Sequence, residues 1–220
     1  MAENRGHDLF RFEPGDVSIR VMYAGEICTG MVSSHAMALG SPVWEKFLFP
    51  PWKETKDLEG QDVRTPPVQE LSFVEDDGEA LLILLRIAHL KFKEIPTALS
   101  YDHLLNLAIL VDQYDCIGII RPWLATWLAN EETEWKAPGR ECWLFIAWAF
   151  GRNEIFESLA LKMVKGIVVD AGGVTFTSSG EPMPEPMPDG IIGNSTHQIR
   201  ARILTYFFFR KYSGRSSSYY

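Results

Sequence analysis

The sequence predicts an α+β protein, in which a small mixed sheet packs against helices and a helical extension follows. Residues 16–21 alternate polar and apolar side chains, as a half-buried strand does, and residues 27–32 can return as the second strand of a hairpin. Several segments between residues 34 and 128 then carry apolar side chains at helical spacing. A polar connection with Pro and Gly at residues 131–140 precedes two more apolar helices, which form the extension.

Composition and charge narrow the class of function. The chain has 220 residues, of which 46% are hydrophobic and 23% charged, and these values are typical of a globular domain with a real core. The formal net charge of −8 disfavours direct binding to nucleic acid, which requires clustered Lys and Arg. The abundant aromatic residues suit a protein that binds other proteins.

Cysteine usage and the absence of apolar leaders predict the compartment. Cys28, Cys116 and Cys142 are odd in number and far apart, which favours a reducing environment in the cytoplasm, the nucleus or both. The N-terminus lacks the apolar stretch of a signal peptide. The apolar runs of the sequence, such as Ala80 to Leu85, are far too short to span a membrane.

Capping residues predict where the helices begin. Ser33 is the expected N-cap of a helix at residues 34–39, and Ser41 that of the next helix, with Pro42 at its first position. Asp76 or Asp77 caps a strongly apolar helix that we expect in the core, and Ser100 caps another. A short strand at residues 71–74 and a helix at residues 117–128 complete this part.

These elements give five predicted segments along the chain. They are a flexible N-terminus (1–13), a folded domain (14–130), a helical extension (131–170), a disordered Pro-, Gly- and Ser-rich loop (171–193), and a C-terminal helix with its tail (194–220).

The folded domain resembles a BTB/POZ domain of the fungal type. Val32 to Trp44 is similar to the family signature that leads from strand to helix and ends in Ser-Pro-Val plus an aromatic residue. Asp16-Val17 resembles the start of the family's first strand, and Leu107 to Tyr114 its helix with an Asp-x-Tyr ending. Trp123 and Trp127 are typical of the fungal branch. Ser33 departs from the animal pattern, which has a histidine there, and no kelch or zinc-finger domain follows.

The resemblance implies a non-enzymatic protein–protein interaction module that scaffolds a larger complex, without a cofactor. Domains of this family commonly form homodimers through the first strand and helices. The apolar residues available there are Phe10, Phe12, Val17 and the Met37–Leu39 helix.

A second implication is a role as substrate adaptor of a cullin-type ubiquitin ligase. Trp52-Lys53-Glu54 has the form apolar-x-Glu, and a motif of that form lies at this place in cullin-binding members. Trp52 would insert into a pocket of the cullin, and Glu54 would accept hydrogen bonds beside it. The competing interpretation is that Trp52 packs on the domain's own core.

A distant alternative is an enzyme that uses a Cys/His pair. Cys116 or Cys28 would then act with His35, His89 or His103, but no spacing typical of a nucleophile and its base supports this. His89, Asp102 and His103 match no metal-ligand pattern, and helix capping explains residues 76–79 better than calcium does. The sequence therefore predicts no catalytic, cofactor or metal residue.

Overall fold

The computed structural model describes residues 5–50, 67–172, 174–177 and 180–188. The chain divides into two compact units, which we name unit 1 (Met1–Ala129) and unit 2 (Asn130–Tyr220). Both helices and strands occur in each unit, so the predicted mixed class is confirmed at this level.

Unit 1 contains a mixed three-stranded sheet with the order β2-β1-β3. Strands β1 (Val17–Tyr23) and β2 (Glu26–Val32) form the predicted antiparallel hairpin. Ala24 and Gly25 both have positive φ, as a two-residue turn between twisted strands requires. Strand β3 (Glu70–Phe73) pairs in parallel with the other side of β1.

Four helices of unit 1 begin where the capping residues predict. Ser33 caps α2, Ser41 caps α3 with Pro42 in its first turn, Asp77 caps α4 and Ser100 caps α5. The bounds are α1 (Arg5–Leu9), α2 (Ser34–Gly40), α3 (Pro42–Leu48), α4 (Gly78–Ala88), α5 (Tyr101–Gln113) and α6 (Ile117–Trp127), with a 3-10 turn at Phe92–Glu94.

Helix α4 lies at the centre of unit 1, as its sequence predicts. Nearly every side chain from Ala80 to Leu85 is inaccessible to solvent, because α4 contacts the sheet and three other helices, α2, α5 and α6. Trp44 of α3 is also fully buried, with its ring 5.3 Å from that of Tyr114. A helix that is apolar on all sides is stable only when other elements cover it in this way.

Residues 10–12, within the stretch predicted to be flexible (1–13), form main-chain hydrogen bonds with β2. After α1, Phe12 N–H donates to the Met31 carbonyl (2.8 Å), and Met31 N–H donates to the Phe10 carbonyl (3.0 Å). These bonds satisfy the outer edge of β2, which would otherwise leave main-chain groups unpaired. Gly30 permits the approach, since a Cβ there would lie only 2.4 Å from the Phe10 carbonyl oxygen.

Unit 2 is built around two helices that contact each other. Its elements are α7 (Glu131–Glu134), α8 (Trp143–Ala149), α9 (Asn153–Gly166), β4 (Val168–Val169) and β5 (Thr175–Phe176). The short helix α7 lies in the stretch predicted as a polar connection. Strand β5 lies in the loop predicted at residues 171–193 and pairs with β4. Asp170 supports the turn between the two strands, because its Oδ1 accepts from Gly172 N–H and Val174 N–H. The helix predicted at residues 194–220 lies outside the described residues.

Candidate protein-binding surface

Four of the six predicted partner-binding residues are core residues of unit 1. Phe10, Phe12, Val17 and Met37 are each at most 2% exposed. Val17 belongs to the inward-facing set of β1, and Met37 to the inward face of α2, so their side chains serve the fold of the single chain. Trp52 and Glu54 lie outside the described residues.

Helix α2 nevertheless presents an apolar side chain to solvent. Leu39 is 89% exposed, although it lies only two residues after the fully buried Met37. Two residues correspond to roughly 200° around a helix, so the two side chains point to opposite sides. On the following helix α3, Phe47 is also exposed. We name the exposed side of α2, which carries Leu39, the α2 face. It is the part of the predicted Met37–Leu39 surface that a partner can reach.

A set of hydrogen bonds fixes the first turn of α2. Asp16 accepts from Ser34 N–H and from Ser34 Oγ–H, both at 2.7 Å. Burial alone would raise the pKa of Asp16, but these hydrogen bonds outweigh it and lower the pKa below its ordinary value. The Asp16–Ser34 pair therefore sets the direction in which α2, and with it Leu39, leaves the sheet.

His89, just after α4, holds the same turn from the other side. Its Nε2 accepts from Ser33 N–H (2.9 Å), its Nδ1 donates to the Leu85 carbonyl (2.8 Å), and its ring stacks on Phe12 at 4.4 Å. Burial lowers the pKa of His89, which keeps the imidazole neutral and able to accept. The N-terminal segment, α2 and α4 thus meet at one side chain.

Tyr114 joins two of the segments that carry the sequence resemblance to the acidic residues that precede α4. Ser41 Oγ–H donates to its carbonyl oxygen (2.5 Å), and its own hydroxyl donates to Asp76. Gln113 donates to the other oxygen of the same carboxylate (3.2 Å). Burial, then the bond to Asp76, raises the pKa of the Tyr114 hydroxyl far above its usual value, so it remains a donor. Tyr114 therefore positions α3, α4 and α5 relative to one another.

A second exposed apolar site follows the C-terminus of α4. Leu90 has φ +61° and is 73% exposed. Its N–H donates to the Ile87 carbonyl (3.0 Å), and Lys91 N–H donates to the Arg86 carbonyl (2.8 Å), which is the Schellman arrangement that normally has Gly at the left-handed position. A leucine in this conformation costs about 1–2 kcal/mol. The backbone at Leu90 is thus strained, although its side chain points into solvent and adds no burial to the core.

Phe92 continues this surface on a stack of aromatic rings. Its ring lies 5.4 Å from that of Trp123, which in turn stacks on Trp127 at 6.3 Å. Trp127 is anchored by a hydrogen bond from its Nε1 to the Pro96 carbonyl (2.8 Å). Half of Phe92 (51%) remains exposed. We name Leu90, Lys91, Phe92 and Lys93 the α4–α5 ridge.

The ridge could not be recognised from the sequence. Between the end of a buried helix and the Ile95-Pro96 break, the sequence shows only that two apolar residues alternate with two lysines. That pattern alone does not tell a solvent-exposed ridge from a short strand. The exposure of Leu90 became evident only with the helix end at Ala88.

Unit 2 contains a small open cavity of about 80 Å³. Helix α9 contributes apolar residues to its wall, and the charged side chains of Arg140, Glu141 and Lys162 also contribute to the lining. Arg140 lies 4.0 Å from Glu134, so part of this charge is already compensated. The cavity has the mixed character of an ordinary surface cleft.

The cysteines considered for a Cys/His enzyme are buried, and His35 and His103 are each close to a polar side chain. Burial raises the pKa of the Cys116 thiol to about 12 and also raises the pKa of Cys28, whereas a cysteine nucleophile needs a lowered pKa. His35 lies 3.3 Å from Ser34 Oγ, and His103 Nε2 lies 2.6 Å from a carboxylate oxygen of Glu79.

Two further features concern metals and membranes. Within the ranges that the structure describes, no three His, Cys, Asp or Glu side chains are grouped so as to hold a metal ion. No helix in those ranges is long and apolar enough to cross a membrane.

Comparison with known proteins gives no family assignment. No model of a protein family matches the chain, and no curated protein matches it.

Proposed function

We propose that this chain is a BTB/POZ-type interaction module that self-associates and scaffolds a larger protein complex, without catalytic activity of its own. The order of elements in unit 1 supports the family resemblance: a hairpin, two short capped helices, a third strand parallel to the first, and then helix pairs. The contacts of Tyr114 support it further, because they link the Ser-Pro segment, the acidic cap and the Asp-x-Tyr helix. The buried free cysteines suit a cytoplasmic or nuclear setting.

The observation that carries the proposal is the exposed Leu39 on the rigidly held helix α2. A leucine that is 89% exposed gains hydrophobic free energy when a partner covers it. Because the hydrogen bonds of Ser33 and Ser34 fix the start of α2, little conformational entropy is lost when this face is covered. A two-fold interface would use the same face of both copies, and a stable one buries about 1,200 Å² or more in total.

The test is sedimentation velocity of the full chain and two matched variants. Leu39→Glu places a charge at the centre of the proposed interface. Leu161→Glu makes the same change at another exposed leucine, 47% exposed on α9 of unit 2. We expect a dimer for the wild type and for Leu161→Glu, and a dissociation constant raised by about thirty-fold or more for Leu39→Glu, the effect of losing an interface anchor.

The outcome separates folding from association. Circular dichroism of Leu39→Glu should be that of the wild type, since Leu39 contributes little to the core. A wild-type chain that sediments as a monomer at about 100 µM, well above the dissociation constants of stable dimers, would contradict self-association. Equal weakening by both substitutions would show that charge in general, rather than the α2 face, controls association.

A further inference from the structure

We propose that the α4–α5 ridge is a docking site for an acidic, amphipathic peptide segment of a partner protein. This inference rests on the proposed function, because it names the kind of partner that the scaffold holds. The ridge belongs to unit 1 but is separate in sequence from the α2 face that is proposed for self-association. Both sites can therefore be tested on one protein.

Leu90 is unusual among the residues that follow helix ends of the same geometry. Helices α4, α5 and α8 each end with a left-handed residue, and these residues are Leu90, Asp115 and Gly151. All three ends have the paired hydrogen bonds of the Schellman arrangement. Gly and Asp are residues that tolerate this conformation, whereas leucine is not. Leu90 therefore adds strain and an exposed apolar side chain at a position where glycine would serve the fold better.

The residues beneath the ridge hold it in place. Phe92 lies on Trp123, Trp123 on Trp127, and Trp127 is tied to the Pro96 carbonyl. A supported aromatic ring loses little freedom when a partner covers its open face, which is the property of aromatic anchors in protein interfaces. Leu90 is fixed as well, because both hydrogen bonds of the helix end restrain its backbone.

Charge identifies the kind of partner. Lys91 and Lys93 are exposed and alternate with the two apolar residues of the ridge. Glu94, the adjacent carboxylate, is paired with Arg86 at 3.3 Å. In a chain of net charge −8, this is a local positive surface with apolar anchors. It complements a segment in which large apolar side chains are accompanied by Asp and Glu.

The test uses a random peptide library displayed on phage and the full-length protein as bait. Enriched peptides are synthesised, and their affinity is measured by fluorescence anisotropy for the wild type and three variants. Leu90→Gly removes the apolar anchor and relieves the backbone. Asp115→Gly makes the matched change at the end of α5, and Lys91→Glu with Lys93→Glu reverses the charge of the ridge.

We expect the enriched peptides to combine aromatic or aliphatic residues with Asp or Glu. Leu90→Gly should weaken their binding by about tenfold or more, as the loss of an interface anchor does, whereas Asp115→Gly should leave it unchanged. The double lysine reversal should weaken binding and abolish or reverse its salt dependence, because salt then screens a repulsion instead of an attraction. Leu90→Gly should unfold at the same temperature as the wild type or higher, which excludes a loss of fold as the cause.

Several results would overturn the inference. They are the absence of enriched peptides, enrichment of basic or uncharged peptides, and equal binding to the wild type and Leu90→Gly. A change in sedimentation caused by Leu90→Gly would instead show that a second copy covers the ridge, which also contradicts a peptide site. The proposed self-association fails separately, through Leu39→Glu, so the two failures are distinguishable.

Discussion

Helix α2 carries two apolar side chains in opposite environments, since Met37 is fully buried whereas Leu39 is almost fully exposed. The end of α4 repeats the contrast, with Ile87 buried and Leu90 exposed. In both places the residue types are similar and only their positions differ: Leu39 lies on the outer side of α2, and Leu90 follows the C-terminal end of α4. Apolar residues of the first kind stabilise the fold, and those of the second kind are available to partners.

The largest effect that we predict comes from truncating the buried residue of α2, Met37. Met37→Ala should lower the free energy of unfolding by about 2–5 kcal/mol, because it removes a buried side chain and leaves a cavity. Leu39→Ala, the matched control, should change the stability of the monomer by no more than about 0.5 kcal/mol. Urea denaturation of both variants below the concentration at which the protein associates provides the measurement. Equal losses would mean that the two side chains do not differ as the structure indicates.

Trp52 lies outside the described ranges, and the same comparison applies to it. It either packs in the core of the domain or binds a partner. If it binds a cullin, Trp52→Ala should weaken that complex by about thirty-fold, equivalent to about 2 kcal/mol, with little change in melting temperature. Glu54→Ala should cost less if Glu54 is on a wet rim of the interface.

Calorimetry against the host's cullin N-terminal region decides whether Trp52 binds a cullin or packs in the core. Absence of heat with the wild-type protein, together with a lower melting temperature for Trp52→Ala, would assign Trp52 to the core. The adaptor prediction would then be wrong.

Polar contacts of the interior give a smaller effect. Tyr114→Phe removes the hydrogen bond to Asp76 but keeps the buried ring, and should lower the free energy of unfolding by about 0.5–1.5 kcal/mol, the net contribution typical of a protein hydrogen bond. A double-mutant cycle with Asp76→Ala isolates that bond from other effects of each change. Additive losses in the cycle would show that the two groups do not interact.

The pH dependence of stability tests how α2 is held. Because the pKa of His89 is below its ordinary value of 6.5 in the folded state, the unfolded chain binds more protons as the pH falls. The contribution of His89 is therefore fully present above pH 6.5 and is lost as the pH drops through the folded-state pKa. Nearby Lys91 opposes protonation too.

His89→Asn supplies the matched control, since asparagine does not titrate. Denaturation midpoints measured between about pH 7 and pH 5 should fall more steeply for the wild type than for this variant. Parallel slopes would show that protonation of His89 does not affect the fold.

Local signals in the sequence predicted much of unit 1. The hairpin and the four capped helix starts were predictable because each depends on neighbouring residues: a turn at Ala24-Gly25, or a side chain that accepts from the main chain two or three positions later. The central position of α4 followed from its continuous apolar surface.

Long-range contacts were the part that local signals could not provide. The parallel pairing of β3 with β1 joins residues about fifty positions apart, and nothing in either strand specifies it. The order of residues 5–12 depends on the unsatisfied edge of β2, which exists only after the sheet has formed. The same limit applies to the surface: Phe10, Phe12, Val17 and Met37 were predicted for a partner by residue type, whereas their burial depends on the whole fold.

The most direct test of self-association is thermal unfolding at several protein concentrations. If folded unit 1 is a dimer through the α2 face, each tenfold rise in concentration stabilises the folded dimer by about 1.4 kcal/mol, so the midpoint of unfolding must increase. We predict this increase for the wild type and for Leu161→Glu, and a constant midpoint for Leu39→Glu in the range where it is monomeric. A wild-type midpoint that is independent of concentration, at concentrations where sedimentation also shows a monomer, would contradict the account.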